Sequence, residues 1–237
     1  DADAYMFMAA GIPSKGDVAI NLEVHFFDEN GYAYSGQKNI LGYVCTFDEK
    51  GLFISAEDST VLEAGCVGTN LEYVLLSDGT LVIDGEGAMR DYTVSGSYGP
   101  WFYNNMANVK YVQFGAGVTA LGEYAFNRCE YIKTVTFAQG SKLESIGTYA
   151  FRACHRLDKI NIPATVTTID NYAFFKCGGL TTVDFEANSN LKYIGREAFA
   201  ETHYLKKIMI PASVTTIGEG IFKRSKANVV VQVVKDS

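Results

Sequence analysis

Nothing in this chain approaches the run of about 20 apolar residues that carries a helix across a bilayer. The longest apolar stretch near its start, Tyr5 to Ile12, falls short by more than half. No export signal is visible, and the chain opens at Asp1 without an initiator methionine, as a mature or trimmed fragment would. The missing signal therefore does not argue for the cytoplasm. Histidine is scarce, at three residues: His25, His155 and His203. No GxSxG elbow, HExxH helix, phosphate-cradling glycine loop or isolated carboxylate pair appears, and Gly85 to Gly87 lacks the strand-to-helix context of a phosphate site. Cys154 and His155 are adjacent but point different ways, which disfavours a nucleophile pair. These absences predict a non-enzymatic protein with no catalytic residues, cofactor or metal.

Cysteine is present in an odd number, five, which excludes complete internal pairing. Cys129, Cys154 and Cys177 hold one slot of three successive repeats, where later repeats carry Thr202 and Ser225. A slot that accepts Cys, Thr or Ser wants a small side chain facing inward, so these read as a ladder of free thiols. Zinc sites declare themselves by tight Cys/His pairs, and none is visible. A stripe of basic residues interleaved with aromatics is also missing, which disfavours nucleic acid.

Charge is divided unevenly. Residues 1–107 carry 16 acidic and 4 basic side chains, whereas residues 108–237 carry 11 and 16. The two parts are different modules. The second has the sign that attracts an acidic polymer, but Arg128, Arg152, Lys176 and Arg224 follow the Phe on one face while Lys133, Lys159, Lys206 and Lys207 lie in the strands. Charge scattered in this way ordinarily keeps a surface solvated.

That second part is a repeat. Phe126, Phe151, Phe174, Phe199 and Phe222 recur at spacings of 25, 23, 25 and 23 residues inside one frame, seen in LESIGTYAFRACHRLDKINI and VTTIDNYAFFKCGGLTTVDF. Each copy has an apolar face that only its neighbours can cover, so the copies stack as a solenoid. The alternation arises in the link after the last strand residue, which is long (AQGSK, EANSN) or short (PAT, PAS). Each unit ends in a period-two strand, and YAFxxC suits one turn of α- or 3₁₀-helix, so the expected class is an α/β solenoid with a parallel sheet. Its strands leave Tyr111, Gln113, Thr134, Thr136, Lys159, Asn161, Thr182, Asp184, Lys207 and Met209 pointing outward as a candidate partner-binding face.

Phe7, Phe27 and Phe47 lie 20 residues apart, as do Gly11, Gly31 and Gly51, a pattern of short β-hairpins over residues 1–55. Residues 56–105 match neither period. Leu71 to Leu76, the turn SDGT and Leu81 to Asp84 read as a hairpin, and with Pro100, Trp101 and Phe102 it suits a β-rich cap on the solenoid of residues 106–237. Val229 to Val234 is the expected closing strand.

The frame SIGTYAFRACHRLDKINIPATVTTID resembles the BspA-type leucine-rich repeat over roughly residues 106–231, in five copies. That resemblance implies a curved right-handed solenoid of secreted or surface-attached bacterial proteins engaged in adhesion and recognition. FFDENGYAYSGQKNILGYVCTFDEKG is similar to the cell-wall-binding repeats of choline- and glucan-binding Gram-positive proteins. In that family a Trp follows the repeat glycine and helps to cage a choline or sugar, whereas Asp17 and Gln37 stand there in this chain. Phe26, Phe27, Tyr43 and Phe47 keep aromatic character, and Tyr32 and Tyr34 lie near the turns. The expected role is an extracellular or wall-associated binding or adhesion protein, its solenoid engaging a host protein or glycan and its front repeats a cell-wall polymer. The alternative is a targeting region of a larger secreted enzyme.

Overall fold

The computed structural model describes residues 34–93, 99–101 and 107–225, with the backbone of four short strands before them and of one strand after them. β1 (Met8–Ala9) pairs antiparallel with β2 (Ile12–Pro13), and β3 (Val18–Ile20) with β4 (Glu23–His25). A three-stranded antiparallel sheet follows, β5 (Gly36–Ile40), β6 (Tyr43–Phe47) and β7 (Phe53–Ala56). Much of the expected 20-residue repeat, including Phe7, Phe26, Phe27 and Tyr32, lies outside the described residues. Phe47 is a core residue, with Tyr34 and Phe53 edge-on to its ring at 6.1 Å each.

β8 (Val61–Gly68), β9 (Leu71–Leu76) and β10 (Thr80–Gly85) form the antiparallel start of a nine-stranded sheet. Strand β9 is buried on both faces. Leu71, Tyr73 and Leu75 join the solenoid core, while Val74 packs with Ile40, Cys45 and Phe47 of the preceding sheet, as the period of two demands. The sheet continues in parallel through β12 (Tyr111–Phe114), β14 (Thr134–Phe137), β16 (Lys159–Ile162), β18 (Thr182–Phe185) and β20 (Lys207–Ile210) to β22 (Val230–Val233), the closing strand expected from the valine run. A second parallel sheet stacks short strands: β11 (Gly87–Ala88), β13 (Val118–Leu121), β15 (Ser145–Ile146), β17 (Thr168–Ile169), β19 (Tyr193–Ile194) and β21 (Thr216–Ile217). Leu121, Ile146, Ile169 and Ile194 occupy one slot of that sheet and are buried.

Between the sheets runs the phenylalanine column. Phe126, Phe151, Phe174 and Phe199 are fully buried and stack nearly parallel at 5.2, 5.4 and 5.3 Å between centroids. Trp101 lies on Phe126 at 4.9 Å and extends the column toward the cap. Burial of one such ring is worth about 1.5–3 kcal/mol, so the column is a principal source of stability.

The helical turns expected in YAFxxC do not form, and the α/β class gives way to a β-solenoid: residues 107–225 contain no helix. The reason is left-handed backbone at two places per unit, four residues apart. Tyr124 and Arg128, Tyr149 and Ala153, Tyr172 and Lys176, and Glu197 and Glu201 have φ between 51° and 64°, which a right-handed helix cannot contain. Alternate amides consequently bond to the next coil. Tyr149, Phe151 and Ala153 N–H donate to the carbonyls of Asn171, Ala173 and Phe175 at 3.1, 2.8 and 2.8 Å, whereas Ala150, Arg152 and Cys154 N–H turn back three residues to Gly147, Tyr149 and Phe151. Both sets of amides are satisfied, one locally and one between coils.

Candidate recognition face

The outward residues of the long sheet form two columns. Register places Tyr111 beside Thr134, Thr134 beside Lys159, Lys159 beside Thr182, and Thr182 beside Lys207. In the second column Gln113 pairs with Thr136 and Asn161 with Asp184, and Met209 holds the matching position of β20. Thr182 is half-buried and the other nine are exposed, because their inward neighbours Val112, Val135, Ile160, Val183 and Ile208 take the core side of each strand. The face therefore has the composition expected from the sequence.

Electrostatics divide it. Toward the entry of the strands stand Lys110, Lys133, Arg156, Lys159, Lys206 and Lys207, with the acidic Glu130 and Asp158 among them. Asp158 accepts from the Thr181 hydroxyl at 2.6 Å. Among the described residues neither Lys159 nor Lys207 has an ion-pair partner, so both ammonium groups are available to a ligand. Toward the exit stand Asp184 and Glu186. Glu186 accepts from the Ala164 N–H at 3.0 Å and from the Asn161 amide at 3.5 Å, which ties neighbouring turns together.

At that exit a cleft of about 510 Å³ opens among Asp184, Phe185, Glu186, Met209 and Pro211. It lies where the long turn after β18 stands beside the short turn after β20. The 25/23 alternation was its signal in the sequence, since unequal neighbouring turns cannot close flush.

The cysteine slot faces inward. Cys129, Cys154 and Cys177 are free and buried, and the thiols of Cys154 and Cys177 donate to the carbonyls of Phe126 and Phe151 at 3.3 and 3.0 Å. Burial pushes the Cys129 thiol up to about 12, a rise partly opposed by a hydrogen bond with Trp101, and pushes Cys154 well above its ordinary value. His155, next to Cys154, is exposed on the other side of the backbone, so the two do not form a nucleophile pair. Among the described residues no group of three or more His, Cys, Asp or Glu side chains converges.

Two features escaped the repeat count. Trp101 fills the phenylalanine slot of an additional coil, 25 residues before Phe126, and that spacing was the available signal. Tyr124, Tyr149 and Tyr172 form a second stack, at 4.8 and 4.7 Å. Both faces of Tyr149 are taken up by its neighbours in that stack.

No curated protein matches the chain. Among solved structures it is similar to a leucine-rich repeat protein from Eubacterium ventriosum, with 32% identity and a TM-score of 0.61 over 71% of this chain and 43% of that one. It also shares its fold with the pneumococcal vaccine antigen PcpA, with 22% identity and a TM-score of 0.54 over 71% of this chain and 49% of that one. The chain thus spans less than half the length of either. The BspA type leucine rich repeat region matches residues 99–228 in six copies, one more than the phenylalanine spacing gave and beginning at the coil of Trp101, and with over half its length so matched the chain belongs to the BspA-type leucine-rich repeat family.

Proposed function

We propose that this chain is a non-enzymatic recognition module of a secreted or surface-attached bacterial protein, and that it binds an extended acidic ligand along the outward face of the long sheet. The observation that carries this reading is the pair of unpartnered lysines, Lys159 and Lys207, set two coils apart in one column among exposed Thr, Asn and Gln side chains. Repetition of short polar groups at the ~4.8 Å strand spacing suits a ligand that is itself periodic, and the basic entry edge attracts negative charge over a screening length of about 8 Å at physiological ionic strength. The name of one structural neighbour, a vaccine antigen, agrees with a surface address. The front hairpins are proposed to take part in wall association, with Asp17 and Gln37 where the Gram-positive repeats they resemble carry a Trp.

The test is an array of acidic glycans and acidic proteins, followed by titration of the best ligand with the parent chain and with Lys159→Glu/Lys207→Glu at low and high salt. Binding that weakens in the double variant and in salt supports the reading. Unchanged affinity in the double variant, with loss on removal of residues 1–55, transfers recognition to the hairpins.

A further inference from the structure

His155 and His203 occupy the same slot of the second and fourth phenylalanine-bearing coils, and Gly178 holds that slot in the coil between them. The coil spacing alone gives a backbone separation of about 10 Å, but the rings do not stand that far apart. A Cβ built on Gly178 lies 4.0 Å from His155 Nδ1 and 3.9 Å from His203 Cδ2, so both imidazoles lean over the empty rung and approach within about 8 Å of each other. Both are exposed. Their torsions are therefore free to change among staggered rotamers.

The fold does not demand glycine at this position. Gly178 has no left-handed φ, and its Cβ would meet only the two imidazole rings. The next residue is different: a Cβ on Gly179 would lie 2.3 Å from the His155 carbonyl oxygen, so packing requires that glycine. What Gly178 provides is space between two metal-ligating side chains. We infer that His155 and His203 bind a divalent transition-metal ion across the rung left open by Gly178.

The chemistry sets the ion class. Imidazole nitrogens suit Zn²⁺, Ni²⁺ and Cu²⁺, with bonds of about 2.0–2.1 Å for zinc. Rotation of both rings toward the gap brings one nitrogen of each to the ion, and the remaining coordination positions stay open to water. Copper binds most tightly in the ordinary order of divalent ions. A side chain at position 178 that is not itself a ligand would occupy the volume that the ion and its waters need.

Titration of the full chain with CuCl₂ and with ZnCl₂ by calorimetry tests this. One site is expected, with affinity falling at least tenfold in His155→Ala and in His203→Ala. Gly178→Leu, which keeps both histidines, is expected to weaken binding by a similar factor. Gly178→His adds a third imidazole to the same rung and is expected to tighten binding at least tenfold. Parent-like affinity in the His155→Ala/His203→Ala double variant, or no tightening in Gly178→His, overturns the site. His155 and His203 are exposed, and a Cβ at half-buried Gly178 meets only ordinary contact distances, so thermal melts close to the parent are expected for all four single variants.

Discussion

Trp101 lies parallel to Phe126, with ring centroids 4.9 Å apart and planes 8° from parallel, and so continues the phenylalanine column past its first phenylalanine. Its other neighbours fix it there. Tyr73 of β9 meets it edge-on at 5.8 Å, and its indole N–H donates to the Ala125 carbonyl at 3.2 Å. One side chain thus joins the cap hairpin, the first complete coil and the inter-coil stack.

Trp101→Ala is accordingly expected to cost about 3–5 kcal/mol, the range for emptying a large aromatic site. Trp101→Phe restores the residue used by every later coil and is expected to recover most of that loss. Denaturant unfolding measures both. An alanine variant as stable as the parent would show that the cap is held by β10 and β12 alone.

Phe174 and Phe222 hold the same slot with different consequences. Phe174 is stacked on both sides, at 5.4 and 5.3 Å, and fully buried. Phe222 is half-buried, and Phe199, at 6.2 Å and 25°, is the one ring stacked on it among the described residues. Phe174→Ala is expected to cost about 3–5 kcal/mol and Phe222→Ala less than half of that. Equal losses would mean that the last coil is as well packed as the middle ones.

The repeat was readable because its inward residues hardly vary: Phe, the small residue three positions on and the alternate apolar residues of the strand recur every 25 or 23 residues, and pairing follows from stacking. The left-handed turns were not readable, because Tyr, Arg, Ala, Lys and Glu occupy them and none of these declares that conformation; only Gly220 does. What overrides local preference there is the inter-coil hydrogen bonding of Tyr149, Phe151 and Ala153, a tertiary effect. The outward face followed from strand alternation. The approach of His155 to His203 did not, since coil spacing locates backbones and not the lean of a ring.

The left-handed turn makes an unusual prediction at Arg128, which is exposed with φ of 64°. A non-glycine residue there costs about 1–2 kcal/mol, so Arg128→Gly is expected to leave stability unchanged or raise it by up to about 1 kcal/mol. In a helical turn the same change would lower it by roughly that amount. Arg128→Val, with a β-branched side chain ill suited to positive φ, is expected to destabilise. Denaturation midpoints of the pair decide between the two backbones, and a destabilised glycine variant would favour the helical turn.

The cysteine ladder makes the stability pH-dependent on the alkaline side. Burial holds the Cys129 thiol protonated up to about 12, against an ordinary value of 9.0. Below pH 9 the thiol is protonated in both folded and unfolded chains, and its contribution is fully present. Between 9 and about 12 the unfolded chain loses the proton while the folded one keeps it, so the unfolded state gains and stability falls with rising pH. The slope for one such group is about 1.4 kcal/mol per pH unit. Tyrosine and lysine titrate in the same range, so the measurement compares the parent with Cys129→Ser, a residue type that the slot already accepts at Ser225. From pH 8 to pH 10.5 the parent is expected to lose about 2 kcal/mol more than the variant. Thiol reagents should label Cys129, Cys154 and Cys177 slowly in the folded protein, since attack requires a thiolate and access to solvent. Parallel stability curves for the two proteins, together with fast labelling, would show that the slot opens to water in the folded state.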